Sequence, residues 1–351
     1  MKVPVLRVLR LDTPMDADTF DARLAAAPDL ELSVHPVDVD RQATWQAFAQ
    51  AHIYHIASAR DELPTPWWAA PALLERSPNL LAISTYGAGY DTVDVQACTR
   101  AGVCVMNQAG SNAAAVAEHT LGLMLGLLRR IGETDRRLRR GERPSRVQAM
   151  GRDADSLVMG LVGIGHAGTR VAALCRALGM QVMAFDPYLD PAEIAARGAR
   201  AVGWMELLHG ADVVSLHCPL SDETRGLMDA AAFAAMKPGA LFITTARGDI
   251  HDESALYDAL VSGHVSGAGL DVWSCEPPPL DHPLLTLDTV LATPHTAGVT
   301  NGSRLKMATM AADQILALVQ GQRPDRLVNP QVWPAFATRF ESLTGRRCMG
   351  G

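Results

Sequence analysis

Residues 157–168, Leu157-Val158-Met159-Gly160-Leu161-Val162-Gly163-Ile164-Gly165-His166-Ala167-Gly168, carry an apolar strand-like run straight into a GxGxxG turn and on into an Ala-rich helical stretch. In such a βα unit the first glycine allows a tight turn and the second lets the backbone approach a pyrophosphate. The third lets the helix pack closely on the strand, with phosphate resting at the helix N-terminus. The glycines alone are a weak signal. Here the next strand-like run, Gln181-Val182-Met183-Ala184-Phe185, ends at Asp186, close to the ~20-residue offset of a carboxylate that takes the adenosine ribose hydroxyls. That carboxylate repels a 2′-phosphate, and Pro187 and Tyr188 offer no cation to welcome one, so the segment points to NAD rather than NADP. A purely structural glycine turn would leave Asp186 unexplained.

On both sides of this unit, apolar strand-like runs alternate with Ala/Leu-rich helical stretches, the pattern of parallel sheets with crossover helices. The spacing predicts strands over 5–9, 53–57 and 80–85 and helices over 16–26 and 42–51 in a first lobe. A long apolar helix over 113–128, capped by Asn112, leads into an Arg-rich stretch over 129–146 that is expected to cross between lobes as a solvated helix end. A second βα series fills 157–294, a helix over 302–320 returns toward the first lobe, and the chain after Pro324 shows little pattern. The expected fold class is α/β: two doubly wound parallel-sheet domains, Rossmann- and flavodoxin-like, with an interdomain cleft. A discontinuous first domain, 1–112 plus 303–351, would hold the substrate, and the inserted domain 113–302 would hold NAD.

A length of 351 residues favours two domains, and 48% hydrophobic with 20% charged residues is the composition of an ordinary globular protein. The formal charge of −7 without a dominant basic tract leaves no electrostatic footprint for a nucleic-acid partner beyond one short Arg cluster, so none is expected. Arginines interrupt the apolar residues of segment 1–10, which lacks a small-residue cleavage site, and no run reaches membrane-spanning length, so a cytoplasmic location without membrane contact is expected. Cys98, Cys104, Cys175, Cys218, Cys275 and Cys348 form no CxxC pair and read as reduced, mostly packed thiols. His52 and His55 stand one helical turn apart but lack a third ligand at useful spacing, so no metal is expected. His119, beside Glu118 on the long helix, reads as a packed interdomain residue more than one that approaches the cofactor, and Trp67 with Trp68 as packing more than pocket lining.

A second constellation lies downstream: Thr244-Thr245-Ala246-Arg247, then Gly269-Leu270-Asp271 through Glu276, then Ala292-Thr293-Pro294-His295. Each charged residue follows a strand-like run, and in an open parallel sheet ligands bind at the carboxyl ends of strands. Arg247 can fork onto an α-carboxylate and polarise the adjoining carbonyl. His295 can supply or remove the proton of a carbonyl oxygen as hydride moves to or from carbon. Glu276 can orient that imidazole and raise its pKa, which keeps its acid form available near neutrality. Singly each could be a surface ion pair, a loop carboxylate or a cap; behind a dinucleotide turn, the three together read as catalytic.

Taken in order, these segments resemble the D-isomer-specific 2-hydroxyacid dehydrogenase family. The likeness covers most of the chain, from Ser84-Thr85-Tyr86-Gly87-Ala88-Gly89-Tyr90-Asp91 through Asn107, Val116-Ala117-Glu118 and Gly163 to Asp186, and on to His217-Cys218-Pro219, Thr224 and the Arg247, Glu276 and His295 motifs. The resemblance implies that Arg247 binds and polarises substrate, that Glu276 pairs with His295, and that His295 is the acid/base. It implies a cofactor site of Gly163, Ile164, Gly165, His166, Ala167, Gly168, Asp186, His217, Cys218, Pro219, Thr224, Thr245, Ala246, Arg247, Asp271, His295 and Gly298. Tyr86, Gly87, Ala88 and Gly89 would meet the substrate together with Arg247 and His295, the amides near Ala88 and Gly89 receiving its carboxylate. A small 2-keto or 2-hydroxy acid substrate, NAD and a homodimer formed through the nucleotide domain are implied as well.

The departures narrow the substrate. Thr244 stands where members commonly carry Asn, a change expected to be tolerated. Phosphoglycerate-acting members place arginines near Ala57 and Ala59, which disfavours a phosphorylated substrate here, although Arg60 stays in the loop. Formate-specific relatives carry Gln where Glu276 stands. The expected substrate is therefore glyoxylate- or hydroxypyruvate-like. Two rival readings are an NAD-sensing, corepressor-like binding protein of the same fold and an oxidoreductase acting on another substrate, such as phosphite.

Overall fold

A computed structural model describes residues 5–13, 17–37 and 41–349. The chain divides into two compact units: unit 1, residues 1–112 and 300–351, and unit 2, residues 113–299. The second boundary thus falls three residues before the expected one.

Among the described residues of unit 1, five parallel strands form one sheet: β1 Leu6–Leu11, β2 Leu30–His35, β3 Ile53–Ile56, β4 Ala82–Thr85 and β5 Cys104–Met106, in the order β2-β1-β3-β4-β5. This is the flavodoxin-like doubly wound order. Every residue of β3, β4 and β5 is buried, as expected of strands covered on both faces. Alternate side chains feed two cores. Val8, Ile53, Ala82 and Cys104 meet the helix Asn301–Val319, while Leu9, Tyr54, Ile83 and Val105 meet Phe48, Trp67 and Leu73.

Unit 2 contains β6 Val158–Val162, β7 Gln181–Phe185, β8 Arg200–Ala201, β9 Val213–Leu216, β10 Ala240–Thr244, β11 Val265–Leu270 and β12 Val290–Ala292, all parallel, in the order β12-β11-β10-β9-β6-β7-β8. Counted within the unit, this is the Rossmann order with one further strand, and it reverses between β6 and β9. The GxGxxG turn leaves β6 at that switch point. One face packs under the helices Ala113–Leu128 and His166–Ala177 through Met124, Val171 and Leu161, and the other through Phe233, Phe242 and Leu256.

Several expectations need correction. The Arg-rich stretch does not cross between lobes: Ile131–Arg139 is a helix of unit 2, and its Arg136 reaches Asp288 and the Val290 carbonyl at the β12 edge, with Arg140 also paired to Asp288. The unpatterned tail contains the helix Trp333–Thr344, whose Trp333, Phe336 and Phe340 fill the unit 1 core. Strands β2 and β5 were not foreseen. The helix expected over 16–26 is Asp18–Ala25, and residue 16, like residues 1–4 of the segment read for a leader, lies outside the described residues. His52 and His55 belong to an extended segment rather than a helix. His52 Nδ1 accepts the Arg7 N–H at 3.0 Å, while His55 is buried against Phe20 and near Ser84 Oγ at 3.3 Å. Trp67 is core, its Nε1–H donated to the Val37 carbonyl. No helix among the described residues is long and apolar enough to cross a membrane.

Candidate active site

In unit 2 the glycines at the switch point divide their tasks. Gly163 has φ +88°, and a Cβ there would lie 2.8 Å from the Cys218 amide nitrogen, so conformation and crowding both demand glycine. At Gly168 a Cβ would lie 2.5 Å from the Gly163 carbonyl oxygen, which is the close helix packing read from the sequence. Gly165 is different: a Cβ would meet nothing within 4 Å. Its missing side chain leaves open space before the amides of the helix His166–Ala177, the space that a diphosphate needs.

Asp186, just beyond β7, accepts the Ile164 N–H at 3.1 Å and the Tyr188 N–H at 3.2 Å, which fixes its carboxylate at the turn. Arg197 also reaches this turn, donating to the Ile164 carbonyl at 2.8 Å; its distance in sequence from the fingerprint hid that contact. Around the turn, desolvation pulls the His217 pKa down to about 4, so its ring is neutral, and Nε2 meets Ser215 Oγ at 2.9 Å. Burial, with a smaller push from Asp186, raises the Cys218 thiol to about 11. Thr224 closes its own loop, donating to the Pro219 carbonyl at 2.7 Å and accepting the Ser221 N–H at 2.8 Å. These residues fit a dinucleotide with an unphosphorylated ribose.

The charged triad gathers at the carboxyl ends of β10 and β11 and beyond β12. Thr244 Oγ1 accepts the Ala246 N–H at 3.5 Å, the local bond expected at that position, and Thr245 Oγ1 meets Thr120 Oγ1 at 3.1 Å. Arg247 follows, one N–H donated to the Ala246 carbonyl at 2.6 Å and its charge felt by both Glu276 and His295. Glu276 Oε1 accepts the Trp273 N–H at 3.0 Å, and Oε2 accepts the His295 Nδ1–H at 2.7 Å. That bond leaves Nε2 to carry the exchangeable proton. Burial opposes a charged His295, but the hydrogen bond and charge of Glu276, aided by Asp271, outweigh burial and Arg247 together, and the pKa is raised. Burial likewise opposes ionised Glu276, and His295 first among the counterweights holds its pKa below the usual value.

His295 has φ +54°, a left-handed conformation that costs a non-glycine residue roughly 1–3 kcal/mol and persists where surrounding contacts over-determine it. Asp271, expected at the cofactor, is one source of that constraint. It is fully buried, and its oxygens take N–H groups of the His295 loop. Gly298 lies in the same loop, beyond Ala297.

In unit 1 the segment Tyr86 to Gly89 follows β4. Tyr86 is buried. A Cβ on Gly87 would lie 2.9 Å from Ser58 Oγ, a hydroxyl that would have to rotate away to admit it. The Gly87 carbonyl accepts Gln108 N–H at 3.0 Å and Thr85 Oγ1–H at 2.9 Å, and the Ala88 carbonyl accepts Asn107 Nδ2–H at 2.8 Å. The amides of Ala88 and Gly89 make no such backbone bond among the described residues. Arg60 donates to the Asp91 carbonyl at 3.3 Å, with its guanidinium 5.5 Å from the Trp68 ring centroid.

A Rossmann unit with a glycine cradle, a carboxylate at the end of the next strand and a histidine–glutamate pair past its strand ends defines a nicotinamide-dinucleotide protein. Residues 121–297 match the family described as D-isomer specific 2-hydroxyacid dehydrogenase, NAD binding domain, and the chain belongs to this family. It is 37% identical to the D-3-phosphoglycerate dehydrogenase of Archaeoglobus fulgidus over 280 residues, 79% of this chain and 53% of that protein. It is 35% identical to the glyoxylate reductase of Korarchaeum cryptofilum over 265 residues, 74% of this chain and 79% of that protein. The crystal structure of a glyoxylate reductase from Paecilomyes thermophila superposes with a TM-score of 0.83 at 26% identity, covering 93% of this chain and 99% of that one. The chain spans about half the length of the curated phosphoglycerate dehydrogenases it matches.

Proposed function

We propose that the protein is an NAD-dependent oxidoreductase acting at C2 of a small D-2-hydroxy acid or 2-keto acid, with glyoxylate or hydroxypyruvate as the favoured substrate type. The observation that carries this reading is the 2.7 Å His295–Glu276 bond placed past the strand ends of an NAD-binding unit. Bound NAD supplies the hydride carrier. Gly163 to Gly168 and Asp186 would hold its diphosphate and ribose, and His217, Cys218 and Pro219 would border the turn. Arg247 forks onto the substrate carboxylate and polarises the carbonyl, since a planar guanidinium fixes direction as well as charge. His295 delivers its Nε2 proton to the carbonyl oxygen, and Glu276 stabilises the imidazolium before that transfer. In the other direction neutral His295 takes the hydroxyl proton. The Ala88 and Gly89 amides are the proposed carboxylate donors of unit 1. Alanine at 57 and 59 supports an unphosphorylated substrate.

We further propose a homodimer formed through unit 2 and a cytoplasmic location, the latter supported by six free thiols. The test is NADH oxidation with glyoxylate, hydroxypyruvate, pyruvate and phenylpyruvate, with NADPH in parallel. Substrate-dependent turnover preferring NADH supports the reading; tight NADH binding without turnover on any of them overturns it. His295→Ala is expected to lower kcat roughly 10²- to 10⁴-fold, the usual share of general acid–base catalysis, with NADH affinity retained. Equal loss of both sinks the role given to His295.

A further inference from the structure

Asp271 gathers the whole His295 loop. Its Oδ1 accepts Thr293 Oγ1–H at 2.6 Å and Thr296 N–H at 2.8 Å, and its Oδ2 accepts Ala297 N–H at 2.9 Å. Its backbone carbonyl takes the His295 N–H at 2.7 Å. All four donors lie within 293–297, on both sides of His295. Because the Thr293 hydroxyl commits its proton to Asp271, it can only accept at its other contact, His119 Nε2 at 3.0 Å. That bond places a proton on His119 Nε2, which also lies 3.6 Å from Asp271 Oδ1. Among the described residues His119 is the one basic side chain within ion-pair distance of this fully buried carboxylate. A buried carboxylate needs its oxygens hydrogen-bonded, and His119 fixes the threonine that supplies one of those bonds. The helix Ala113–Leu128, whose Leu123 and Met124 are packed in the unit 2 core, supplies His119 from a rigid base.

We propose that His119 is a positioning residue for His295: acting through Thr293 and Asp271, it holds loop 293–297 in the left-handed conformation that seats His295 Nδ1 on Glu276. The glycine turn, the triad and the carboxylate loop leave His119 without a task, yet the strained backbone at His295 requires contacts that over-determine it. The Asp271 bonds are those contacts, and His119 aligns the threonine that fills one of them. This inference rests on the acid/base reading of His295.

The experiment compares wild type, His119→Ala, His119→Gln, Thr293→Val and the His119→Ala/Thr293→Val double variant with NADH and the fastest acid among glyoxylate, hydroxypyruvate and pyruvate. His295 is followed in parallel by NMR titration of its ring in histidine-labelled protein. Misplacing a catalytic group by about an ångström costs up to roughly 10²-fold, so His119→Ala should lose roughly 10- to 100-fold in kcat, with KM for NADH within about twofold of wild type. Glutamine offers a terminal N–H in place of Nε2 and should restore most of the rate. The double variant should be no worse than the poorer single variant. The His295 titration should move down in His119→Ala, as contact with Glu276 loosens, and return in His119→Gln. Unchanged kcat and His295 titration in His119→Ala, additive losses in the double variant, or equal loss in both His119 variants with NADH binding gone would each overturn the proposal. Should no acid be turned over while the His295 titration still follows His119 as described, the positioning role stands and the acid/base reading falls.

Discussion

His295 is pulled two ways, and its response to pH follows from which pull is removed. Burial and Arg247 favour the neutral ring, Glu276 and Asp271 the charged one, and the net shift is upward. Reduction of a keto acid uses protonated His295, so its rate should be full at low pH and fall as pH rises through the raised pKa. In Glu276→Gln the hydrogen bond loses its charge while the burial penalty stays. The alkaline limb should then move to lower pH, and kcat for reduction at neutral pH should drop; a pH–rate profile superposing on wild type would contradict this. Stability follows the same signs. The raised His295 contributes fully below its unfolded value of 6.5, and the depressed Glu276 contributes fully above its unfolded value of 4.5. The pair therefore stabilises most between those values, and denaturant titrations of wild type and Glu276→Gln should diverge there. The pair itself was legible because each member follows a strand-like run. The loop-holding role of Asp271 was not legible, because its motif shows its position but not its burial, which depends on a loop that returns 22 residues later, as the Thr293 bond records.

At the scale of the element, the glycine turn separates folding from binding. Alanine at Gly163 would be forced to φ +88° and into the Cys218 backbone, so Gly163→Ala should lose at least about 1–2 kcal/mol of stability, the cost of a left-handed residue with a Cβ. Alanine at Gly165 meets open space and should leave the melting temperature nearly unchanged while weakening NADH binding. Thermal melts and fluorescence titrations of the two variants should therefore give opposite patterns, and a destabilised Gly165→Ala would refute the cradle. Long apolar runs and this turn were readable because period and glycine chemistry act locally. β5 was missed because three residues, Cys104–Met106, show no period. The helix Trp333–Thr344 lay in the stretch after Pro324 that shows little pattern, although Trp333, Phe336 and Phe340 lie on one helical stripe and Pro330 and Pro334 open a short turn and the helix. Its core role predicts that Phe336→Ala costs about 3–5 kcal/mol, measurable by denaturant unfolding.

At the scale of the whole molecule, segment 131–150 of unit 2 has apolar and charged side chains doing opposite things. Arg130 turns to Glu133 and Arg136 and Arg140 to Asp288, whereas Ile131, Leu138, Val147 and Met150 are each more than half exposed. Scattered apolar residues at a surface are ordinary, but four within twenty residues beside satisfied charges are where we propose that the dimer contact lies. A two-fold axis lets a single patch cover its own copy, which is the simplest closed solution and fits the proposed dimer through the nucleotide unit. Sedimentation velocity at micromolar protein should then show a dimer, and Leu138→Glu should shift it toward monomer while NADH still binds. A wild-type monomer at that concentration, or a Leu138→Glu variant that sediments as wild type, would move the interface elsewhere. Loss of NADH binding together with dimerisation would instead show that segment 131–150 supports the fold of unit 2 itself, because the nucleotide turn and this helix belong to the same unit.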